Sequence, residues 1–424
     1  EGTYTVAPDG TVTFVPEKSF TGTGTGVTVK RVDKNGTPVT AKYTPTVTPV
    51  TPTAEPATST DIQGKTQTGK PKFTEGDPSV PMDDDVPATF EDGSTTKTIP
   101  GEGTYTVAPD GTVTFVPEKS FTGTGTGVTV KRVDKNGTPV TAKYTPTVTP
   151  VTPTAEDATS TDKQGQTQSG KPTFTPGNSN VPMDDDVPAT FEDGSTTKTI
   201  PGEGTYTVAP DGTVTFVPEK SFTGTGTGVT VKRVDKNGTP VTAKYTPTVT
   251  PVTPTAEPAT STDIQGKTQT GKPKFTEGDP SVPMDDDVPA TFEDGSTTKT
   301  IPGEGTYTVA PDGTVTFVPE KSFTGTGTGV TVKRVDKNGT PVTAKYTPTV
   351  TPITPTAEPV TSTDIQGQTQ TGKPTFTPGN SDVPMDDDTP ATFEDGSTTK
   401  VIPGEGTYTV APDGTVTFVP EKSF

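Results

Sequence analysis

The chain contains no cysteine and no histidine, and leucine and tryptophan are missing as well. Without cysteine there is no disulfide framework, no thiolate metal site and no thiol nucleophile. Without histidine the usual general base and the commonest transition-metal ligand are gone. Leucine is absent and methionine occurs only four times, which removes much of what fills helical cores. No apolar run approaches the ~20 residues of a membrane span, and no signal-peptide pattern opens the sequence. Positive charge is in deficit. Lysine and arginine total 34 against 53 aspartates and glutamates, a formal net charge of −19. Such a chain repels nucleic-acid phosphates and anionic membrane surfaces. With 25% hydrophobic and 21% charged residues it lies near the compositional range of disordered chains, so order must come from pattern.

What is present is threonine, valine, glycine and proline, with threonine making up about a quarter of the sequence. Threonine and valine branch at Cβ and suit strands, so the composition allows a β-protein or a disordered one. The stretch EGTYTVAPDGTVTFVPEKSF begins at Glu1, Glu102, Glu203, Glu304 and Glu405, a constant spacing of 101 residues. A period this long exceeds the 20–50 residues of a solenoid unit and matches the commonest domain size, so each unit has enough chain for its own core.

Within one repeat, Tyr4 and Val6, then Val12 and Phe14, alternate with threonine, the period of a half-buried strand pair. Ala7-Pro8-Asp9-Gly10 between them specifies a tight turn. A second hairpin is predicted around Asp33-Lys34-Asn35-Gly36, from Val27 and Val29 to Val39, Ala41 and Tyr43. PATFEDGSTTKTIPGEG reads as two short strands around Glu91-Asp92-Gly93, and STDIQGKTQTGKPKF as a first strand with Ile62 and Phe73 facing inward. TPTVTPVTPTAEP, Thr44 to Pro56, is the least strand-like region; its first part is read as an edge strand and its end, near Thr53-Ala54, as the linker. Seven or so short strands separated by turns predict an all-β chain of tandem Ig-like β-sandwich repeats arranged as an extended rod. The expected units are 54–154, 155–255 and 256–356, with 1–53 the C-terminal part of a truncated repeat and 357–424 the N-terminal part of another. On this reading the sequence is cut out of phase with its fold.

The segment from Glu1 to Thr53, together with STTKTIPGEG and TSTDIQGKTQTGKPKF, closely resembles the CshA-type fibril repeats of streptococcal surface adhesins, over the whole chain and at the same repeat length. DGTVTFVPEKSFTGT is more weakly similar to Ig/cadherin-like repeats of bacterial surface proteins. The first resemblance implies a wall-anchored Gram-positive fibril in which tandem sandwiches form a stalk. It also implies that host-protein (fibronectin) binding belongs to a non-repetitive region outside this chain, so that binding is carried over to no residue here. The expected partners within the chain are neighbouring repeats, with no nucleic acid and no membrane insertion.

The sharpest acidic cluster is VPMDDDVPATFEDGS, with Asp83, Asp84, Asp85, Glu91 and Asp92. Calcium at a domain junction is one reading, since hard cations take several carboxylate oxygens. Contiguous aspartates lack the alternating spacing of a calcium loop, and a solvated acidic loop is the reading adopted. A glycosidase carboxylate pair has weaker support still. Asn35-Gly36-Thr37 forms a glycosylation sequon, but the hairpin turn accounts for those residues. TPTVTPVTPT is read as a stiff linker rather than an O-glycosylated stretch. Gram-positive sandwiches can carry a Lys–Asn or Lys–Asp isopeptide bond and Lys30 and Lys42 lie on predicted strands, but Asn35 belongs to a turn, so only the less favoured Lys–Asp bond remains; Thr21 to Gly26 is read as a flexible edge or loop. No catalytic, cofactor-binding or metal-ligating residue is assigned and no cofactor is expected. The expected role is a structural stalk at the cell surface, with multivalent ligand binding by the repeats and a disordered Thr/Pro spacer as the alternatives.

Overall fold

The computed structural model describes residues 1–424, which form strands and turns with no helix. The disordered-spacer alternative is thereby set aside. The chain divides into two compact units. One comprises Glu1–Asp162, Thr167–Val217 and Thr225–Thr248; the other comprises Lys163–Gln166, Pro218–Gly224 and Val249–Phe424.

In the first unit, one complete sandwich is built from strands between Thr53 and Thr149. Its larger sheet runs Thr89–Phe90, Val128–Val133 and Pro139–Thr149, with Gly123–Thr124 on the same edge of the last strand and Ala57–Ile62 on the other. Its smaller sheet orders Thr96–Ile99, Gly103–Val107, Val113–Pro117 and Gln67–Gly69, all antiparallel. A separate two-stranded ribbon joins Thr53–Glu55 to Lys72–Thr74. Alternation with threonine turns Tyr105, Val107, Val113 and Phe115 inward. Across the sandwich they meet Phe90, Val128, Val130, Tyr144 and Val148. Tyr105 stacks on Phe115 at 4.5 Å between centroids and meets Tyr144 edge-on at 6.3 Å, a geometry aromatic pairs favour.

The second unit contains the same sandwich between Thr255 and Thr351, with Phe292, Tyr307, Phe317, Val332, Tyr346 and Val350 in its core. Residues Gln370–Pro420 form the smaller sheet again, without a larger sheet over it, and Phe376 is 50% exposed where Phe275 packs against a core.

Both expected hairpins are present, and the APDG turn places Gly111 at φ +92 while its amide donates to the Ala108 carbonyl. Three sequence expectations are corrected. The first concerns the proline-spaced segment, which is no edge: Thr145–Thr149 completes an eleven-residue central strand paired on both sides. Pro146 is tolerated there because its carbonyl, accepting from the Gly125 amide, faces the interruption between Gly123–Thr124 and Val128–Val133. An N–H at Pro146 would point into that gap, so the ladder loses no donor. The second concerns STDIQGKTQTGKPKF, which forms three strands in three different pairings; Phe73 packs on the core, whereas Ile62 sits half-buried at the strand end. The third concerns the linker expected near Thr53-Ala54, where Thr53–Glu55 is instead a strand, held by its pairing with Lys72–Thr74 further along the chain.

Candidate functional site

The acidic loop is tied down by the second hairpin. Asp83 accepts from Lys135 Nζ at 3.0 Å, Asp85 lies 3.4 Å from the same ammonium, and Asp84 accepts from Arg132 at 2.8 Å. Backbone bonds dock the loop on the same hairpin, from the Asp83 amide to the Val133 carbonyl and from the Lys135 amide to the Pro81 carbonyl. The hydrogen bond from Lys135 holds the Asp83 carboxyl below the usual range. Glu91 and Asp92 stand apart from this group: Asp92 caps its own turn, accepting from the Ser94 amide and hydroxyl. The loop thus acts as a strap that fastens a long connection to the sandwich. Lys30 and Lys42 lie on the expected strands, Val27–Val32 and Pro38–Tyr43, and form no ion pair there.

Sequence reasoning missed two buried polar staples. In the first, Glu102 is 6% exposed and its Oε1 accepts from the Thr126 amide at 2.6 Å and from the Tyr105 hydroxyl. Its Oε2 accepts from the Thr126 hydroxyl at 2.8 Å, and Tyr105 accepts in turn from the Gly127 amide at 3.1 Å. A carboxylate of the smaller sheet therefore grips the interruption in the larger one. The glycines are required by this approach: a Cβ at Gly125 would lie 2.7 Å from both Glu102 Oε1 and the Tyr105 hydroxyl, and Gly127 holds φ +78. Burial, reinforced by the bond to Glu102, pushes the Tyr105 hydroxyl well above its ordinary pKa. The signal available in the sequence was the spacing of Glu102 and Tyr105 ahead of TGTGTG, which reads as a solvated carboxylate beside a strand until the fold closes.

In the second staple, Ser59 donates to Gln67 Oε1 at 2.6 Å and shares a hydrogen bond with the Tyr144 hydroxyl. Gln67 Nε2 donates to the Thr147 carbonyl at 3.0 Å. Gln63 bridges Lys119 and Val151 at the end of the same unit.

The Asn-Gly turns have an additional contact. In the first unit Asn237 Nδ2 donates to the Gln63 carbonyl at 3.0 Å, joining one sandwich to the turn of the preceding one. In the second unit Asn338 makes the same bond to the Gln164 carbonyl at 2.9 Å.

These features define a tandem array of β-sandwiches whose polar groups are largely committed to closing each sandwich and joining it to the next. The family model of the surface adhesin CshA repetitive domain matches residues 1–47, 49–148, 150–249, 251–350 and 352–424, and the chain belongs to that family. It is accordingly a repeat region of a cell-surface adhesin. Similar solved structures include the protocadherin GammaB4 extracellular domain, with 10% identity over 99% of this chain and 76% of that one and a TM-score of 0.36. The I9–I11 tandem of titin covers 72% of this chain and 99% of its own at 12% identity, with a TM-score of 0.28. Drosophila N-cadherin EC1-4 covers 82% and 89% at 12% identity, with a TM-score of 0.23. At those scores they add nothing to the family assignment. No curated protein matches the chain.

Proposed function

We propose that this chain is a stalk segment of a Gram-positive, wall-anchored adhesin, holding a distal adhesive region away from the cell wall. The folding units are 54–154, 155–255 and 256–356, and their task is structural rather than catalytic. The observation that carries this reading is the use of each repeat's buried polar groups. Glu102, Tyr105, Gln67 and Gln63 all close the sandwich, and Arg132 and Lys135 of the same repeat tie the acidic loop to it. Outward-facing acidic charge, net −19 over the chain, keeps neighbouring fibrils apart. Each unit is expected to add roughly 40 Å, from strands of ~20 Å plus turns and linker.

Small-angle scattering tests this directly, using proteins of one, two and three repeats that begin at Ala54. A maximum dimension growing by a constant increment per repeat is expected. Growth of the radius of gyration as the ~0.6 power of length, as for an unfolded chain, overturns the stalk. Beads coated with residues 54–356 supply the second arm. They should not adhere to fibronectin or to cells; if they do, the repeats are themselves multivalent binders.

A further inference from the structure

The repeats are nearly identical and differ mainly between Asp61 and Ser79 and at the equivalent positions of later copies. Two of those variable positions meet in space. In the second unit the ammonium of Lys163, which ends the strand Ala158–Lys163 of one repeat, lies 2.8 Å from the Asp279 carboxylate of the next. The same sequence separation leads from Ile62 to Asn178 and from Ile264 to Asn380. By this spacing lysine falls with aspartate once, where the contact is seen, and isoleucine with asparagine twice, over the three junctions for which the chain contains both positions.

Side-chain chemistry accounts for the match. Asn178, Asp279 and Asn380 all cap their own turns through Oδ1, accepting from the amides of Asn180, Ser281 and Asp382 at 2.9 Å in each case. Only the other atom of the group is left for the neighbouring repeat. In Asp279 that atom is an oxygen, which accepts from Lys163. In the asparagines it is an NH₂, which would set donor against donor if lysine stood opposite. Isoleucine opposite Asp279 would instead cover a carboxylate and give it no partner. Lys163, together with the two Ser281 donors, holds Asp279 down to about 2.

Beneath this variable pair lies a constant contact. The asparagine of the hairpin turn reaches the preceding repeat's carbonyl, Asn237 to Gln63 and Asn338 to Gln164. A Cβ at Gly64 or Gly165 would come within 2.2 Å of that asparagine's Oδ1, and both glycines hold positive φ, at +85 and +86. The constant contact supplies docking, and the variable pair supplies choice.

We propose that consecutive repeats recognise each other through this matched pair, lysine with aspartate or isoleucine with asparagine, so that repeat order is encoded in the surface by which each repeat docks on the next. The partner of this surface is another repeat carrying the complementary residue. The inference is independent of the stalk reading, since it concerns which repeats dock and not what they hold up.

The absence of cysteine makes the test clean. Exposed Ser221 and Thr298, both in the second unit, are replaced by cysteine in the full chain and spin-labelled, and pulsed dipolar spectroscopy reads the docked and undocked populations. K163I and D279N, each a mismatch, should raise the undocked fraction roughly two- to fivefold, the equilibrium factor of an exposed ion pair. The double variant K163I/D279N recreates the isoleucine–asparagine match and should return the distribution to its starting shape. Single variants that leave the distribution unchanged overturn the proposal. So does a double variant as disordered as either single one, which would reduce the contact to an ion pair with no matching rule.

Discussion

Glu102 and Tyr105 show how a residue that looks ornamental on a strand can hold two sheets together. Replacing Tyr105, Tyr206 and Tyr307 with phenylalanine takes one donor from a buried carboxylate that keeps its threonine bonds, and leaves the Gly127-type amides without their acceptor. The expected loss is about 1–3 kcal/mol per repeat in urea unfolding, the cost of an unmet buried polar group. Gly125→Ala should be at least as damaging, because its Cβ has no room beside the carboxylate. The pH dependence follows from the tyrosines. Tyr105, Tyr144, Tyr206, Tyr245, Tyr307 and Tyr346 are raised above the ordinary value of 10.0, burial being the largest cause in each. A hydroxyl whose folded pKa is raised favours the folded state fully below pH 10, and that contribution falls as pH rises toward the folded pKa. Tyrosinate absorbance should therefore appear together with unfolding above pH 10. Absorbance that titrates fully at pH 10 while the fold persists would contradict the buried staple. None of this was visible in one repeat's pattern, which shows that Tyr105 faces inward but not where its hydroxyl ends.

Strands and hairpins were largely legible because they are encoded locally, in alternation with threonine and in the APDG and KNG turns. What was not legible depends on distant partners. The proline-spaced segment reads as an edge when only its own residues are considered, yet Thr145–Thr149 pairs with a strand more than eighty residues earlier in the chain. Its prolines are permitted by where the opposite edge is interrupted, a fact of tertiary structure. The consequence is a position-specific rule. Substituting Pro146, whose buried ring lies beside Gly125, by valine should cost less than about 1.5 kcal/mol, as for an apolar swap of similar volume that removes no ladder donor. Moving the proline one place, with Thr147→Pro, removes an N–H facing Ala57–Ile62, where the neighbouring Thr149 carbonyl accepts from the Gln63 amide. That change should cost about 1–3 kcal/mol. Calorimetry of the two variants discriminates the readings, and equal effects would mean that the segment is an edge after all.

At the level of the whole chain, identity between repeats has a mechanical consequence. Each complete repeat has the same core, the same carboxylate staple and the same strap from Asp83 to Lys135 or its equivalents. Units with the same interactions should resist force to the same degree. Their stability, by contrast, is expected to be modest, since each core is closed by valine, alanine and a few aromatic rings only. A tether of such units is expected to yield one sandwich at a time and to recover when released, limiting the load on whatever it carries. Single-molecule pulling on a protein of in-phase repeats should give evenly spaced unfolding peaks. Each peak should release about 300 Å of contour length, from ~3.5 Å per residue less the folded span. The parallel pairing of Ala57–Ile62 with Tyr144–Thr149 joins the first and last parts of one unit, so force applied at the two ends loads that ladder along the strand axis. Shear of several hydrogen bonds at once is what gives a discrete peak rather than gradual peeling. A featureless extension curve would show that the repeats do not unfold as units and would remove the tether from the proposed role. Even peaks that weaken in a Thr60→Pro variant, placed within the parallel ladder, would locate the mechanical clamp in that strand pair.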